Sequence, residues 1–311
     1  MTADGRTGRF HYAGHQLDAS TGSLTCRYTL GDRSFVERTE LGRGEWATPS
    51  AAEAARLVYL LAGVSYYKTA APRAVRIDVP VRPGELVLVR DFYRLGLGEF
   101  AFRNGIDLSD IEFDAVVADA APAPYSPPAR PLVPFGGGID SIVTVEAVKR
   151  SHPETSLFIV SPPTAPFAAI EKVVPVTGLP AARAVRHLDP QVLEPHVNTG
   201  FLQGHVPVTG IITALAVLAG VPAANAQILV HDGGGNGLAS LYRKAGLPEG
   251  LLPVFRVAVD AANSTGLDGG ERDLQRYRGR VITRILSQCE DLSSDDLDYL
   301  VDKLGDVLTA A

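Results

Sequence analysis

Ten residues restrict the fold of this chain more than any others. Leu132-Val-Pro-Phe-Gly-Gly-Gly-Ile-Asp-Ser141 is a short apolar run that meets three consecutive glycines and then a helical pattern over Asp140–Arg150. A short apolar run bounded by turn residues has the form of a buried strand. Residues without a Cβ let the backbone turn sharply and bring its N–H groups close to an anion. The amino end of the following helix adds a dipole that favours negative charge. Strand, glycine turn and helix in this order predict a phosphate- or pyrophosphate-binding loop, with Gly136, Gly137 and Gly138 as its backbone and Ser141 as a hydroxyl donor. The loop is neither a Walker A sequence, which needs Gly-Lys-Ser/Thr, nor a Gly-x-Gly-x-x-Gly dinucleotide fingerprint.

The pattern around this loop alternates strands with helices. Ser156–Val160, Ala182–Leu188 and Gln227–Val230 read as strands, and Ala168–Val176 and Thr209–Ala219 as helices. Such alternation implies a parallel sheet covered on both faces, with ligands at the carboxyl ends of its strands. Two further helices are expected near the end, one carrying Leu274 to Leu286 and one capped by Ser294 and carrying Leu297 to Leu308. Both follow helical spacing and are assigned no chemistry.

Ahead of the loop the character differs. Arg9–Leu17, Ser23–Leu30 and Ser34–Glu40 alternate with period two and are separated by turn residues, which predicts an antiparallel meander. Ser50 followed by Glu53 predicts a capping box for a helix through about Leu61. A strand over Ala74–Val79 and one amphipathic helix from Pro83 to Arg103 complete an α+β unit. Five prolines then occur in ten positions from Pro122 to Pro131, a stiff linker by the loss of backbone donors. The expected domains are residues 1–120, α+β, and 132–311, an α/β domain around the glycine loop. With 311 residues and about 100–200 per domain, two domains fit the length.

Composition narrows the class further. A formal net charge of −6 argues against a large nucleic-acid footprint, because displacing counterions takes a dense basic face. The two cysteines, Cys26 and Cys289, are far apart and have no Cys-x-x-Cys partner, which leaves no zinc site or disulfide framework. The first nine residues are polar and lack the apolar core of a secretory signal. From Pro195 to His231 there is no Asp, Glu, Lys or Arg, but Gln203, Gly204, His205, Pro207 and others interrupt the run. It stays short of the roughly 18 apolar residues of a spanning helix. A cytoplasmic protein without a membrane span is expected, with a small-molecule or nucleotide-linked substrate and no nucleic-acid partner; the sequence leaves the oligomeric state open.

The glycine loop resembles the PP-loop, Ser-Gly-Gly-x-Asp-Ser, of the ATP pyrophosphatase superfamily. Gly137, Gly138, Asp140 and Ser141 agree with it, and Gly136 stands where serine is usual. Four segments in order, Gly63–Pro72, Gly96–Gly105, Val133–Ser141 and Gly204–Thr209, resemble the MurL family of UDP-N-acetylmuramoyl-L-alanyl-L-glutamate epimerases, over roughly residues 9 to 210. Ile139 departs from the lysine expected there, and the chain is short for that family. The resemblance implies an adenine nucleotide α-hydrolase-like domain and an enzyme of peptidoglycan precursor synthesis that uses ATP and Mg2+. Its chemistry would activate the terminal glutamate carboxylate as an adenylate, invert the α-carbon and release AMP and diphosphate. A diverged ligase forming an amide or ester, and a non-catalytic nucleotide-binding paralogue, are the alternatives.

The same reading assigns individual residues. Gly136, Gly137, Gly138, Asp140 and Ser141 would hold the nucleotide phosphates. Asp140 would also arrange the magnesium ion, since hard oxygen ligands suit it, although a carboxylate there also complements the helix dipole alone. Ser161, after the second strand of the α/β unit, lies where the superfamily contacts adenine. His205 has the near-neutral titration of an acid or base, Asp232 could bind metal or serve as a base, and Lys68 could reach a phosphate or carboxylate. Asn236 should border the same crevice as Asp232, and Arg103, Asn104, Ser65, Tyr66 and Tyr67 are second-rank candidates. For each of these a structural role, as cap, turn or surface residue, is the competing reading.

Overall fold

The computed structural model describes residues 6–121, 123, 130–193, 200–221 and 227–228. The expected C-terminal helices, Asp232, Asn236, Cys289 and most of the proline run lie outside these residues. The chain opens with the antiparallel meander β1 (Arg9–Asp18), β2 (Ser23–Leu30) and β3 (Arg33–Glu40). Helices α1 (Pro49–Ala62) and α2 (Val64–Tyr67) follow, then β4 (Ala74–Val81), α3 (Pro83–Arg94), α4 (Gly98–Asn104) and β5 (Glu112–Val117). Beyond the proline run come β6 (Pro131–Pro134), α5 (Ile139–Ser151), β7 (Ser156–Ser161), α6 (Ala168–Thr177), β8 (Ala181–His187), α7 (Pro190–Leu193), α8 (Val208–Gly220) and β9 (Gln227–Ile228).

Three local expectations are corrected. Thr48, not Ser50, caps α1, its hydroxyl accepting the Ala51 N–H at 3.1 Å. Glu53 is free for another task and pairs with Arg82 at 3.2 Å. The single helix expected over Pro83–Arg103 is two helices that break at Leu95–Leu97. A Cβ on Gly96 would stand 2.7 Å from Pro207 Cγ, so the break opens space for a segment distant in sequence. Strand β5 was not expected at all; it adds in parallel to β4 at the sheet edge.

The described strands form one nine-stranded sheet in the order β5-β4-β1-β2-β3-β8-β7-β6-β9. The two stretches expected as separate units share it through β3 and β8, which pair antiparallel over Arg38–His187, Thr39–Arg186 and Glu40–Val185. Most pairings are parallel, so the architecture is α/β. In β6 and β7 both strand faces are apolar, as a sheet covered on two sides requires. Val133, Leu157 and Ile159 pack with Ile142, Val145 and Val148 of α5 and Val173 of α6. Leu132, Phe158 and Ala184, on the opposite face, join Ile211, Ala214, Leu215 and Leu218 of α8 and the large core around α1. That larger core is unusually aromatic: Tyr12, Tyr28, Tyr59, Tyr66, Tyr67 and Tyr93 are all fully buried.

Candidate functional site

Strand direction settles where the expected site segments go. β6, β7, β8 and β9 are parallel, and the chain moves from β6 outward through β7 to β8, then returns through α8 to β9 on the other side of β6. The winding therefore reverses at β6, the position where open α/β sheets bind ligands beyond the carboxyl ends of their strands. The glycine turn follows β6 directly. Because β3 opposes β8, strands β4 and β5 run against β6–β8. Their amino ends thus lie at the same sheet edge as the carboxyl ends of β6–β8. So do the residues before α8, which must carry the chain back from that edge. The four segments quoted above accordingly all lie toward the same end of the sheet.

The loop itself is an open glycine turn at the amino end of α5. Gly137 adopts a left-handed conformation with φ +70°, and its missing Cβ would lie 3.2 Å from the Ile170 backbone; an L side chain is strained there. Where Gly136 and Gly138 would carry a Cβ there is nothing within 4 Å, so the turn is open above the sheet edge. Gly138 caps α5 and provides no side-chain acceptor, which leaves first-turn amide groups available to an external anion. The Ser141 hydroxyl donates to the Gly138 carbonyl at 2.8 Å, so it must rotate before it can donate to a ligand. Asp140 lies in the first turn of α5; its side chain is outside the described features. Among the described residues there is no group of three His, Cys, Asp or Glu that could hold a metal. Ser161 ends β7 opposite Val185 and is buried.

A second cluster toward that end of the sheet is a clasp on residues 201–207. Lys68, at the end of α2, donates from Nζ to the Gly204 carbonyl at 3.0 Å. Burial pulls the Lys68 ammonium below the usual lysine range, and the nearby Glu99 carboxylate partly offsets this. Asn104 donates to the Phe100 and Gln203 carbonyls at 2.7 and 2.8 Å. Leu202 N–H donates to Thr69 O. A Cβ on Gly204 would meet the Phe100 Cα at 3.0 Å, so only glycine lets these backbones approach so closely. His205 donates its backbone N–H to Glu99 Oε2 at 3.0 Å, while its ring stays exposed with Nδ1 3.5 Å from the same oxygen. Arg103 is 3.1 Å from Glu99 on the other side.

Sequence reasoning missed Glu99 and a buried pair at the sheet seam. Glu99 reads as half of an i,i+4 helix pair with Arg103, and nothing local reveals its bond to residue 205. The His205 amide, more than Arg103, holds the Glu99 carboxyl below its ordinary range. A carboxylate with a lowered folded pKa adds stability that is present above the unfolded value of about 4.3 and lost as pH falls through the folded value. Hydrogen exchange should therefore show the His205 amide protected at neutral pH and released only in acid below that range. Protection that persists there would mean the carboxylate does not hold the clasp.

At the seam, Arg186 of β8 donates from Nε and Nη2 to Glu37 of β3 at 2.8 and 2.9 Å. Tyr66 donates its hydroxyl to Glu37 at 2.9 Å, and Ser65 accepts from Arg186 at 3.3 Å. Ser65 and Tyr66 are thus structural ties between α2 and the seam, and Tyr67 is buried core. Lys68, His205 and the glycine loop remain at the open edge.

A family model described as the MurL N-terminal domain matches residues 1–232. Curated relatives include UDP-N-acetyl-alpha-D-muramoyl-L-alanyl-L-glutamate epimerases. That of Salinispora tropica is 33% identical over 234 residues, 70% of this chain and 49% of the relative. That of Xanthomonas oryzae pv. oryzae is 34% identical over 219 residues, 68% and 48% respectively. That of a Micromonospora strain is 32% identical over 234 residues, 70% and 50%. This chain therefore spans about half the length of the relatives it matches. No solved structure matches it. No helix among the described residues is long and apolar enough to cross a membrane.

Proposed function

Because this chain belongs to the MurL N-terminal domain family, we propose that it carries the ATP-dependent epimerisation of the terminal L-glutamate of UDP-MurNAc-L-Ala-L-Glu. The reading is supported by the relatives' names. The observation that carries it is the open glycine turn at the winding reversal, at the end of the sheet toward which Lys68 and His205 also lie. An α-proton beside a carboxylate is very weakly acidic, because its loss would set a second negative charge next to the first. ATP supplies the adenylyl group that masks the carboxylate charge and makes the acyl carbon's neighbour acidic.

The chain's own residues would divide the remaining work. Backbone amides of Gly137, Gly138 and the first turn of α5 would hold the phosphates, and Asp140 would hold a Mg2+ ion that offsets their charge. Ser161 borders the adenine. Lys68, partly desolvated, takes a substrate carboxylate or phosphate oxygen. His205 accepts or returns the α-proton as a general base or acid, and an acid on the opposite face completes the inversion. Asp232, outside the described residues, is a candidate for that second group.

Incubation of the chain with ATP, Mg2+ and UDP-MurNAc-L-Ala-L-Glu is expected to release pyrophosphate and to yield D-glutamate after acid hydrolysis. Absence of pyrophosphate with this substrate would overturn the proposal. Pyrophosphate release without D-glutamate would make the chain a carboxylate-activating relative instead.

A further inference from the structure

The pairing of Glu99 with His205 has a chemical consequence beyond holding a loop. We propose that Glu99 is a positioning residue that sets the tautomer of His205, keeping the proton on Nδ1 and leaving Nε2 as the basic nitrogen. This rests on the reading of His205 as the acid or base above. One Glu99 oxygen accepts the His205 backbone N–H at 3.0 Å and lies 3.5 Å from ring Nδ1. The backbone bond fixes where the carboxylate stands relative to the ring. A carboxylate is acceptor-only, so it stabilises the imidazole form that presents N–H to it. The neutral ring then has its lone pair on Nε2, and the ring is 83% exposed, so that nitrogen is open to a ligand.

The charges around the pair favour the same arrangement. Glu99 is ionised, its carboxyl held low by the His205 amide first and by Arg103. Arg103, 3.1 Å from the other Glu99 oxygen, occupies that side of the carboxylate. Lys68 is bonded to the neighbouring Gly204 carbonyl and lies within electrostatic range of Glu99. The ring therefore faces one anion, paired with Arg103, and Nδ1 is the ring nitrogen that lies beside it, 3.5 Å from Oε2. Without such a partner, which nitrogen holds the proton is decided by solvent.

The test is Glu99→Gln in the whole chain. The amide oxygen can still accept the His205 backbone N–H, so the loop stays anchored. The neutral amide oxygen is a weaker acceptor for Nδ1–H than the carboxylate, so the ring loses its bias toward Nδ1–H and falls back to the Nε2–H form that a histidine side chain favours in water. Long-range proton–nitrogen spectra of the labelled chain at about pH 8, above the ordinary histidine range, read the tautomer directly, with His205→Gln identifying the signals. Expected are Nδ1–H in the wild type and Nε2–H in Glu99→Gln. Turnover should fall about 10- to 100-fold, the size usual for removing a group that orients a working histidine, with KM nearly unchanged. An Nε2–H ring in the wild type, or the same tautomer in both proteins, would overturn the assignment. A tautomer that switches while turnover stays the same would remove His205 from the reaction. If the wild type shows no epimerase activity, the functional reading fails, but the tautomer is still measured.

Discussion

Arg186→Ala is expected to lower unfolding free energy by about 3–5 kcal/mol, the range for leaving a buried charge without its partner. For a unit of this size that corresponds to a fall in Tm on the order of 10 °C. Glu37 is 1% exposed, and both its oxygens are occupied, by Arg186 and by the Tyr66 hydroxyl. Removing the guanidinium strands the carboxylate in a low-dielectric seam. Combining Arg186→Met with Glu37→Gln removes both charges and keeps an acceptor for Tyr66. That double variant should recover more than half of the loss, since neutral replacement of a buried pair is commonly near neutral in stability. Thermal or urea unfolding of the three proteins decides it. A single Arg186→Ala loss below about 1 kcal/mol, typical of exposed pairs, would mean that water reaches the seam.

The second large effect is functional. Gly137→Val places a β-branched residue at φ +70° with its Cβ 3.2 Å from the Ile170 backbone. Holding a non-glycine residue in such a conformation costs about 1–3 kcal/mol. The loop will relax away from the conformation that presents its amides to phosphate, so ATP affinity should drop about 10- to 100-fold, at about 1.4 kcal/mol per tenfold change. Gly136→Ser is the control. Nothing lies within 4 Å of the Gly136 Cβ position, and the new hydroxyl adds a phosphate donor. Titration calorimetry should show equal or tighter ATP binding for Gly136→Ser. If Gly137→Val binds ATP as the wild type does, the glycine turn is not the phosphate site.

Much of the local structure was legible in the residues. Period-two alternation marked β1, β2 and β3, and the apolar runs and helical spacings marked β6, α5, β7, α6, β8 and α8 to within a few residues. These signals are local, because a strand or helix face is written into residues a few positions apart. The cap was misread locally: Thr48, with Pro49 at the first helical position, caps α1 through the Ala51 N–H. The misread helix came from a long-range contact. The helix expected over Pro83–Arg103 broke where Gly96 admits Pro207.

The candidate site divides along the same line. The glycine turn was recognisable because strand, turn and helix are contiguous, so its geometry follows from neighbouring residues. Lys68 and His205 were named as residues, but their proximity was not readable, and Glu99, Glu37 and Arg186 gave no local sign of their roles. Sequence by itself determined that a glycine turn leading into a helix follows a buried strand, and that α/β alternation surrounds it. Only tertiary structure decided that residues 63–72, 96–105 and 204–209 lie toward the same end of the sheet as that turn. The physical reason is the antiparallel join of β3 to β8. Its three residue pairs and the Glu37–Arg186 ion pair link positions about 150 residues apart, and they set the direction of every strand on the far side of the seam.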